Sequence, residues 1–384
     1  MKTVLFVSHS SELNGAELWL LATLRGLDRG RFRPRLVVPR PGPLEEAARA
    51  RGIGTAIVPM KWSITEKSRR WQQPAAAVLN AGSIHRLRRI IRREGVDLVF
   101  TNSAAIGCGA RAARRAGVPH VWAIHEVLGG EEPFLRSLRG ARALTAFIAG
   151  ASARIIVNSQ LTASAFRDPA KIVFVPNGME IASGGGVRRE AMREELGLAD
   201  GDFAAGIVGK MFEGKGQKEA VQATALLAER HPRFKLLVIG EPRDEAYARD
   251  LRAFVAARRL ERHVLFLGYR PDLDDVLKVL NAVVVASVVE SLGRIALEGM
   301  AAGVPVLAVK AGGLTEIIRP GENGFLIESR APEEIARGLE FLIGNPGAVA
   351  AAVAGGYRTI REEYSLEKQI RGVEGVLADV LGTG

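Results

Sequence analysis

The chain has 384 residues, 47% hydrophobic and 25% charged, with 43 Gly and 17 Pro, which excludes collagen-like, low-complexity and largely disordered classes. Its one cysteine, Cys108, excludes an intramolecular disulfide or a thiolate metal cluster within a single chain and fits a reducing compartment. The net charge of +11 is uneven: residues 1–180 hold 27 Lys and Arg against 13 Asp and Glu, a balance of +14, and residues 181–384 come to −3. That asymmetry points to an anionic partner for the first half (nucleic acid, acidic lipid or a small anionic substrate), or else to helices simply coated with arginine.

The first residues, MKTVLFVSHS, carry an apolar run only from Val4 to Val7. A secretory core needs about 7–15 such residues. No stretch approaches the roughly 18 apolar residues of a membrane span. The expectation is a cytoplasmic protein, with room for association at the inner face of the cell membrane.

In chain order, the first half reads as strands at Val4–Ser8, Pro34–Val38, Thr55–Val58, Leu98–Thr101, His120–Ile124, Arg154–Asn158 and Ile172–Val175. Helical patterns lie between them at Ala16–Leu27, Leu44–Arg51, Ile84–Glu94, Ala105–Ala116 and Arg136–Gly150. The second half reads as strands at Ala204–Val208, Lys235–Ile239, Val264–Leu267, Ala282–Ala286, Val304–Ala308 and Phe325–Ile327. Its helices are Lys218–Arg230, Asp244–Arg259, Asp272–Leu280, Arg294–Ala302 and Pro332–Leu342, and Leu366–Leu381 is amphipathic. Short, almost wholly apolar strands alternating with helices predict parallel sheets covered on both faces. The class is therefore α/β, with two Rossmann-like domains. The boundaries expected are 1–180, 181–364 and a C-terminal helix over 365–384 that packs back on the first domain. Turn residues at Asn177-Gly178 and Ser183-Gly184-Gly185-Gly186 mark the junction.

Ligands of open parallel sheets bind beyond the carboxyl ends of the strands, so the segments just after each strand are the places to look. After Ala282–Ala286 comes Ser287-Val-Val-Glu290-Ser291-Leu292-Gly293-Arg294, then Glu298 in the following helix. The amides from Leu292 to Ile295 open that helix and suit a diphosphate. Glu290 and Glu298 suit sugar hydroxyls, because a carboxylate accepts two hydrogen bonds at once. The alternative is that Glu298 pairs with Arg294 on a solvated helix face. After Ala204–Val208 comes Gly209-Lys210-Met-Phe-Glu-Gly214-Lys215-Gly216. Lysines beside a helix N-terminus oppose the dipole, so a bound diphosphate would explain them; a solvated basic turn is the other reading. The Walker spacing is absent, which argues against P-loop hydrolysis.

Asn14-Gly15-Ala16-Glu17 follows the first strand and opens a helix, but no GxGxxG is present, which disfavours a nicotinamide dehydrogenase. His125-Glu126 follows His120–Ile124; His125 either orients a sugar hydroxyl or phosphate, or is a structural histidine. The histidines show no zinc-ligand spacing, so no metal is expected. Asp272 reads as a helix N-cap with Asp274 and Asp275 in the first turn. Lys61-Trp-Ser-Ile-Thr-Glu-Lys-Ser-Arg-Arg-Trp71, with Arg86, Arg88, Arg89, Arg92 and Arg93, gives one basic face with aromatics, fit for a lipid interface or a ligand, or a solvated loop and helix.

Taken together these segments resemble the retaining glycosyltransferases of family 4, which have the GT-B fold, over nearly the whole chain. The carriers are Gly209-Lys210…Lys215-Gly216, Glu290…Glu298 with Gly299-Met-Ala-Ala-Gly-Val-Pro305, Val175-Pro-Asn-Gly178, Phe266-Leu-Gly-Tyr269, Ala311-Gly-Gly-Leu-Thr-Glu316 and Asn14-Gly15-Ala16-Glu17. The resemblance implies two domains facing across a cleft, and a nucleotide-diphosphate-sugar donor held by the second. It also implies no resident cofactor or metal. By carry-over, Lys210 and Lys215 would neutralise the diphosphate, Glu290 would take sugar hydroxyls and Glu298 the ribose. His125 would contact the sugar, and the backbone near Tyr269 would edge the base. Gly209, Ser291, Leu292, Gly293, Arg294, Asn14 and Gly15 would line the substrate sites. The chain departs from the family at Lys210, where Arg is usual and bidentate contact is lost, at Leu292, where Phe is usual, and at Asn14, where Gly is usual.

The function expected is transfer of a sugar to an acceptor hydroxyl, the acceptor being a sugar or a lipid-linked or cell-envelope glycan. The basic first domain is expected to meet an anionic membrane surface and no nucleic acid, since aromatics are only 6% and no nucleic-acid motif is present. The rivals are a nucleotide-sugar epimerase on the same fold and a non-catalytic module for an anionic ligand. A periplasmic solute binder would need an export signal.

Overall fold

The computed structural model describes residues 1–64, 73–128, 140–181 and 186–383. The chain divides into two compact units, Met1–Gly178 with Leu366–Gly384, and Met179–Ser365. Of the expectations above, Trp71 and most of its basic stretch, residues 136–139 and Ser183-Gly184-Gly185 lie outside the described residues.

The first unit runs β1 (Lys2–Ser8), α1 (Gly15–Gly26), β2 (Phe32–Val38), α2 (Pro43–Arg49), β3 (Gly54–Ile57), α3 (Gln73–Arg93) and β4 (Leu98–Asn102). It continues with α4 (Cys108–Ala116), β5 (His120–Ile124), α5 (Gly140–Ala151), β6 (Arg154–Val157), α6 (Gln160–Ala163) and β7 (Ile172–Phe174). The second runs α7 (Gly186–Glu195), β8 (Phe203–Val208), α8 (Gln217–Leu227), β9 (Phe234–Ile239), α9 (Glu245–Ala257), β10 (Val264–Gly268) and α10 (Leu273–Val279). Then follow β11 (Ala282–Val285), α11 (Arg294–Ala301), β12 (Val306–Val309), α12 (Leu314–Ile317), β13 (Phe325–Ile327), α13 (Pro332–Gly344) and α14 (Pro346–Glu362). The last helix, α15 (Leu366–Leu381), belongs to the first unit.

Every strand pairing is parallel. The orders are β3-β2-β1-β4-β5-β6-β7 and β10-β9-β8-β11-β12-β13. In each unit the chain winds outward to one side, then returns to the other side of its first strand. The order therefore reverses between β1 and β4, and between β8 and β11. The loops leaving those neighbouring strands diverge onto opposite faces and leave a crevice, which is where open α/β sheets bind ligands.

Cores lie on both faces of each sheet, because crossover helices cover both. In the first unit Trp19, Phe6, Phe32 and Phe100 fill one face, and Leu5, Val7, Leu87 and Val99 the other. On α15, Val373, Val376 and Leu377 join the Trp19 face. Gln369, fully buried, donates to the Trp19 carbonyl at 2.9 Å and to Thr23 Oγ1 at 2.8 Å, and accepts from the Gly178 amide at 2.8 Å. A buried amide with all these partners costs little to bury.

Three expectations are corrected. β12 starts at Val306 and not Val304: Pro305 has no N–H to give a ladder, and only its carbonyl takes part, accepting from Val283 N. α4 starts at Cys108 and not Ala105, because the Ala105 amide is taken by Ser103 Oγ at 3.0 Å and its carbonyl by the Ser63 amide at 2.7 Å. Asp272 stands at the N-cap position of α10, but its carboxylate caps no amide; it accepts from Arg270 Nε at 2.8 Å and Nη2 at 2.6 Å. A guanidinium fork holds a carboxylate better than one neutral amide does. The helix α14 escaped the pattern reading. Its buried face is Ala352, Gly355, Gly356, Thr359 and Ile360, and all but Ile360 are small residues that show little hydropathy yet allow close packing. A Cβ on Gly355 would sit 1.8 Å from the Glu322 carbonyl oxygen.

Candidate active site

In the second unit the crevice is built by the loops after β8 and β11. After β8 the chain passes Gly209, exposed Lys210 and a single 3₁₀ turn, Glu213–Lys215, then enters α8 through Gly216. Gly216 has φ +79°, and a Cβ there would lie 2.3 Å from the Ala286 carbonyl oxygen at the end of β11. Only glycine lets the two loops come this close. The contact is sealed by the Val288 amide donating to the Gly214 carbonyl at 3.1 Å. From the other side the Gly313 amide, after β12, donates to the Glu290 carbonyl at 2.9 Å. The Glu290 loop is thus pinned at both ends by backbone.

That pinning brings Lys215 and Glu290 together. The Lys215 ammonium forms an ion pair with Glu290 Oε1 and lies 3.4 Å from Ser287 Oγ. Ser287 donates to the same carboxylate oxygen at 2.7 Å. Ser287 is a residue the sequence reading quoted but gave no role. Its signal was its position, the first polar side chain after an all-apolar strand. Lys210 is exposed, and among the described residues its ammonium enters no ion pair. Tyr269, after β10, is 59% exposed.

Gly293 enters α11 at φ +94°, a left-handed conformation that favours glycine. The Ala296 amide already donates to the Gly293 carbonyl at 2.9 Å, so the Arg294 and Ile295 amides are the ones with no preceding helical carbonyl to bond, and the dipole is positive there. Arg294 Nε donates to Glu298 Oε1 at 2.7 Å, so the pair the sequence allowed does form. It is not on a solvated face: the two side chains are 23% and 16% exposed. Burial pushes the Glu298 carboxyl up from its ordinary value, and Arg294 acts against that. Leu292 was expected to offer its amide. Its side chain is 1% exposed and belongs to the core, so only its backbone is available to a ligand.

In the first unit the crevice between β1 and β4 gathers Asn14, Gly15 and His125 indirectly. Asn14 is exposed and caps α1 with its backbone alone. Gly15 is exposed at the first position of the helix. Asn102, fully buried at the end of β4, donates through Nδ2 to the Ala16 carbonyl at 3.0 Å and meets His125 Nε2 through Oδ1 at 2.8 Å. Trp19 packs edge-on against the His125 ring, 5.1 Å between centroids. Glu126 accepts from Ser103 Oγ, and through Oε2 from the amides of Ala104 and His125, both at 3.1 Å. Ser103 sits at φ +93°, a strained backbone for a residue with a Cβ. Glu17 is fully buried with His9 Nδ1 3.1 Å from it; burial pushes its carboxyl up, opposed chiefly by His9. Trp62, 40% exposed, donates from Nε1 to the His9 carbonyl at 3.0 Å. Asn102, Ser103 and the role of Glu126 were missed because their partners are distant in sequence. The one available signal was a polar pair closing a buried strand.

Among the described residues no cluster of three or more His, Cys, Asp or Glu side chains is set to hold a metal ion. Among the described residues no single helix is long and apolar enough to cross a membrane. The second unit can surround a phosphorylated ligand with lysine charge and open amides, and offer carboxylates to hydroxyls.

Residues 188–358 match the family model "Glycosyl transferases group 1", and residues 13–183 match "Glycosyltransferase Family 4". Among curated proteins the chain is similar to a putative glycosyltransferase, EpsD, of Bacillus subtilis, at 34% identity over 42% of this chain and 41% of that one. It is similar to a D-inositol 3-phosphate glycosyltransferase of Acidothermus cellulolyticus at 29% identity over 71% of this chain and 64% of that one. The matches thus span less than two thirds of these relatives' length. Among solved structures it resembles Anabaena Alr3699/HepE in complex with UDP-glucose, with a TM-score of 0.83 at 22% identity, covering 99% of this chain and 100% of that one. A glycosyltransferase from Rickettsia africae gives 0.83 at 18% identity, covering 100% and 99%.

Proposed function

Since the chain belongs to glycosyltransferase family 4, we propose that it moves a hexose from a nucleotide-diphosphate sugar to an acceptor hydroxyl, with retention of anomeric configuration and without a metal. The observation that carries the proposal is the Lys215–Ser287–Glu290 group, locked at the strand-order reversal of the second unit beside the N-terminus of α11. The lysine and the carboxylate neutralise each other. An incoming diphosphate takes the ammonium, and Glu290 is released toward the sugar hydroxyls. Negative charge then develops on the leaving diphosphate, where Lys215, Lys210 and the α11 amides stabilise it. Glu298, steadied by Arg294, takes the ribose hydroxyls, and the backbone by Tyr269 edges the base. His125 of the first unit contacts the sugar. With departure and attack on one face, no side chain acts as covalent nucleophile.

The acceptor is a sugar or a lipid-linked or cell-envelope glycan, presented to the basic first unit at the cytoplasmic face of an anionic membrane. Support comes from α3, where Val78 and Leu79 are 75% and 59% exposed on the same helix as Arg86, Arg89, Arg92 and Arg93. Apolar anchors beside arginines suit an acidic lipid surface.

A panel of sugar nucleotides, beginning with UDP-glucose, screened by thermal shift tests the donor, because a ligand bound at 100 times its Kd stabilises by about 2.7 kcal/mol. The expected outcome is a rise with at least one donor, abolished in Lys215→Ala. Lys215→Ala and Glu290→Ala are expected to cut transfer by about 10²–10³ with cooperative unfolding intact. Loss of folding in both would show these residues to be structural and end the proposal.

A further inference from the structure

The loops after β1 and β4 leave neighbouring strands at the point where the strand order of the first unit reverses. The segment Lys61–Ser63 ties these two loops together. Trp62 Nε1 donates to the carbonyl of His9, the first residue after β1, at 3.0 Å. Ser63 donates to the Ala105 carbonyl, in the loop after β4, from its amide at 2.7 Å and from Oγ at 3.0 Å. The side-chain amide of buried Asn80 clasps Lys61, accepting from its N–H at 2.9 Å and donating to its carbonyl at 2.8 Å. Three successive residues are thus fixed by hydrogen bonds, and the indole between them is 40% exposed at a crevice of the kind in which open α/β sheets bind ligands.

An indole that anchors in lipid keeps its N–H for the wet interface. Trp62 spends that donor on the protein, and its ring neighbours a polar pair instead of aliphatic anchors. The His9 ring lies 5.3 Å from it between centroids, tilted by 48°. His9 Nδ1 is 3.1 Å from Glu17 Oε1, the two side chains being 12% and 0% exposed. Among the described residues no lysine or arginine pairs with Glu17, and Glu126 adds a like charge. A carboxyl group enclosed in this way is costly, and an apolar side chain would fill the same place on α1 more cheaply. What the carboxyl adds is a fixed partner for Nδ1, which sets the plane of the imidazole and commits Nε2 to the ligand.

We propose that Trp62 and His9 form a subsite for a pyranose ring of the acceptor, with Glu17 as the positioning residue behind His9. The negative face of the indole takes the polarised C–H face of the sugar, and the imidazole meets one of its hydroxyls. The inference rests on the proposed function for the ring's belonging to an acceptor; the sugar-binding chemistry of the three residues does not depend on it.

The test is the indole ¹H–¹⁵N spectrum of the labelled full-length protein, with the Trp62 signal assigned by Trp62→Phe. The probes are the methyl glucosides, mannosides and galactosides in both anomeric forms. At least one is expected to shift the Trp62 signal saturably and to leave the buried Trp19 and Trp122 signals in place. Its Kd, read by saturation transfer, is expected to rise about tenfold in Trp62→Ala and about fivefold in His9→Ala. Glu17→Ala is expected to match His9→Ala, and Glu17→Gln, which keeps a hydrogen-bond partner for Nδ1, to restore the wild-type Kd. The thermal shift given by a sugar nucleotide is expected to stay the same in every variant. No movement of Trp62 with any glycoside overturns the proposal, as does a Trp62→Ala protein with the wild-type Kd. Loss of the donor's thermal shift in Trp62→Ala would assign the ring to the donor sugar and overturn it too. A folded Glu17→Ala protein with the wild-type Kd removes the positioning role; if that variant does not fold, the Trp62 and His9 variants still decide. If a glycoside moves Trp62 but no sugar nucleotide supports transfer, the functional reading fails and the sugar subsite stands.

Discussion

Glu17 stands two residues after the exposed Gly15, yet its carboxylate is wholly enclosed, and desolvation raises its proton affinity. Unfolded, it ionises near its ordinary value of 4.5; folded, it keeps its proton to higher pH. Between those two values the folded state binds more protons, so stability is full below the unfolded value and falls as pH rises through the window. The slope is at most about 1.4 kcal/mol per pH unit for one group. Glu17→Gln removes the titration and keeps the shape. The variant is expected to exceed the wild type in urea midpoint at about pH 8, with the difference vanishing toward about pH 4. Equal midpoints at both would mean the His9 partner compensates the burial in full.

Among the elements, the loop from β8 to α8 does most to shape the site, and its geometry is set by backbone. Gly216 combines positive φ with a carbonyl oxygen 2.3 Å from where a Cβ would sit. Arg330 secures the same loop by donating to the Glu213 carbonyl at 3.1 Å, while its pair with Glu219 spans 3.2 Å. Gly216→Ala is expected to cost about 1–3 kcal/mol from strain and to push Lys215 away from Glu290. Urea unfolding reads the first effect and loss of the donor's thermal shift reads the second. A folded variant that keeps full donor stabilisation would show that this approach of the loops is dispensable.

For the molecule as a whole, the first unit is completed by the last helix of the chain. Val373, Val376 and Leu377 are buried against α1, and burial of each contributes roughly 1.5–3 kcal/mol. Removing residues 366–384 also strands the partners of Gln369, the Trp19 carbonyl and the Gly178 amide. The sum rivals the whole stability of an ordinary domain, about 5–15 kcal/mol. Truncation after Ser365 is expected to abolish cooperative unfolding of the first unit, read from the fluorescence of its buried Trp19 and Trp122, while the second unit still unfolds cooperatively.

The amino-acid sequence alone determined the thirteen strands of the described residues and the parallel α/β class, because buried strands must be short and apolar whatever packs on them. It also marked Lys215, Glu290 and His125, since chemistry in such sheets follows the strand ends. What only the tertiary structure decided is who meets whom. Lys215 and Glu290 are 75 residues apart, and Asn102 and Ala16 are 86 apart. Such pairs are joined by the reversal of strand order, which no local pattern encodes. The same holds for the small-residue face of α14 and the burial of Leu292: side-chain volume and depth are properties of the neighbours a residue acquires, and periodicity records only its own hydropathy.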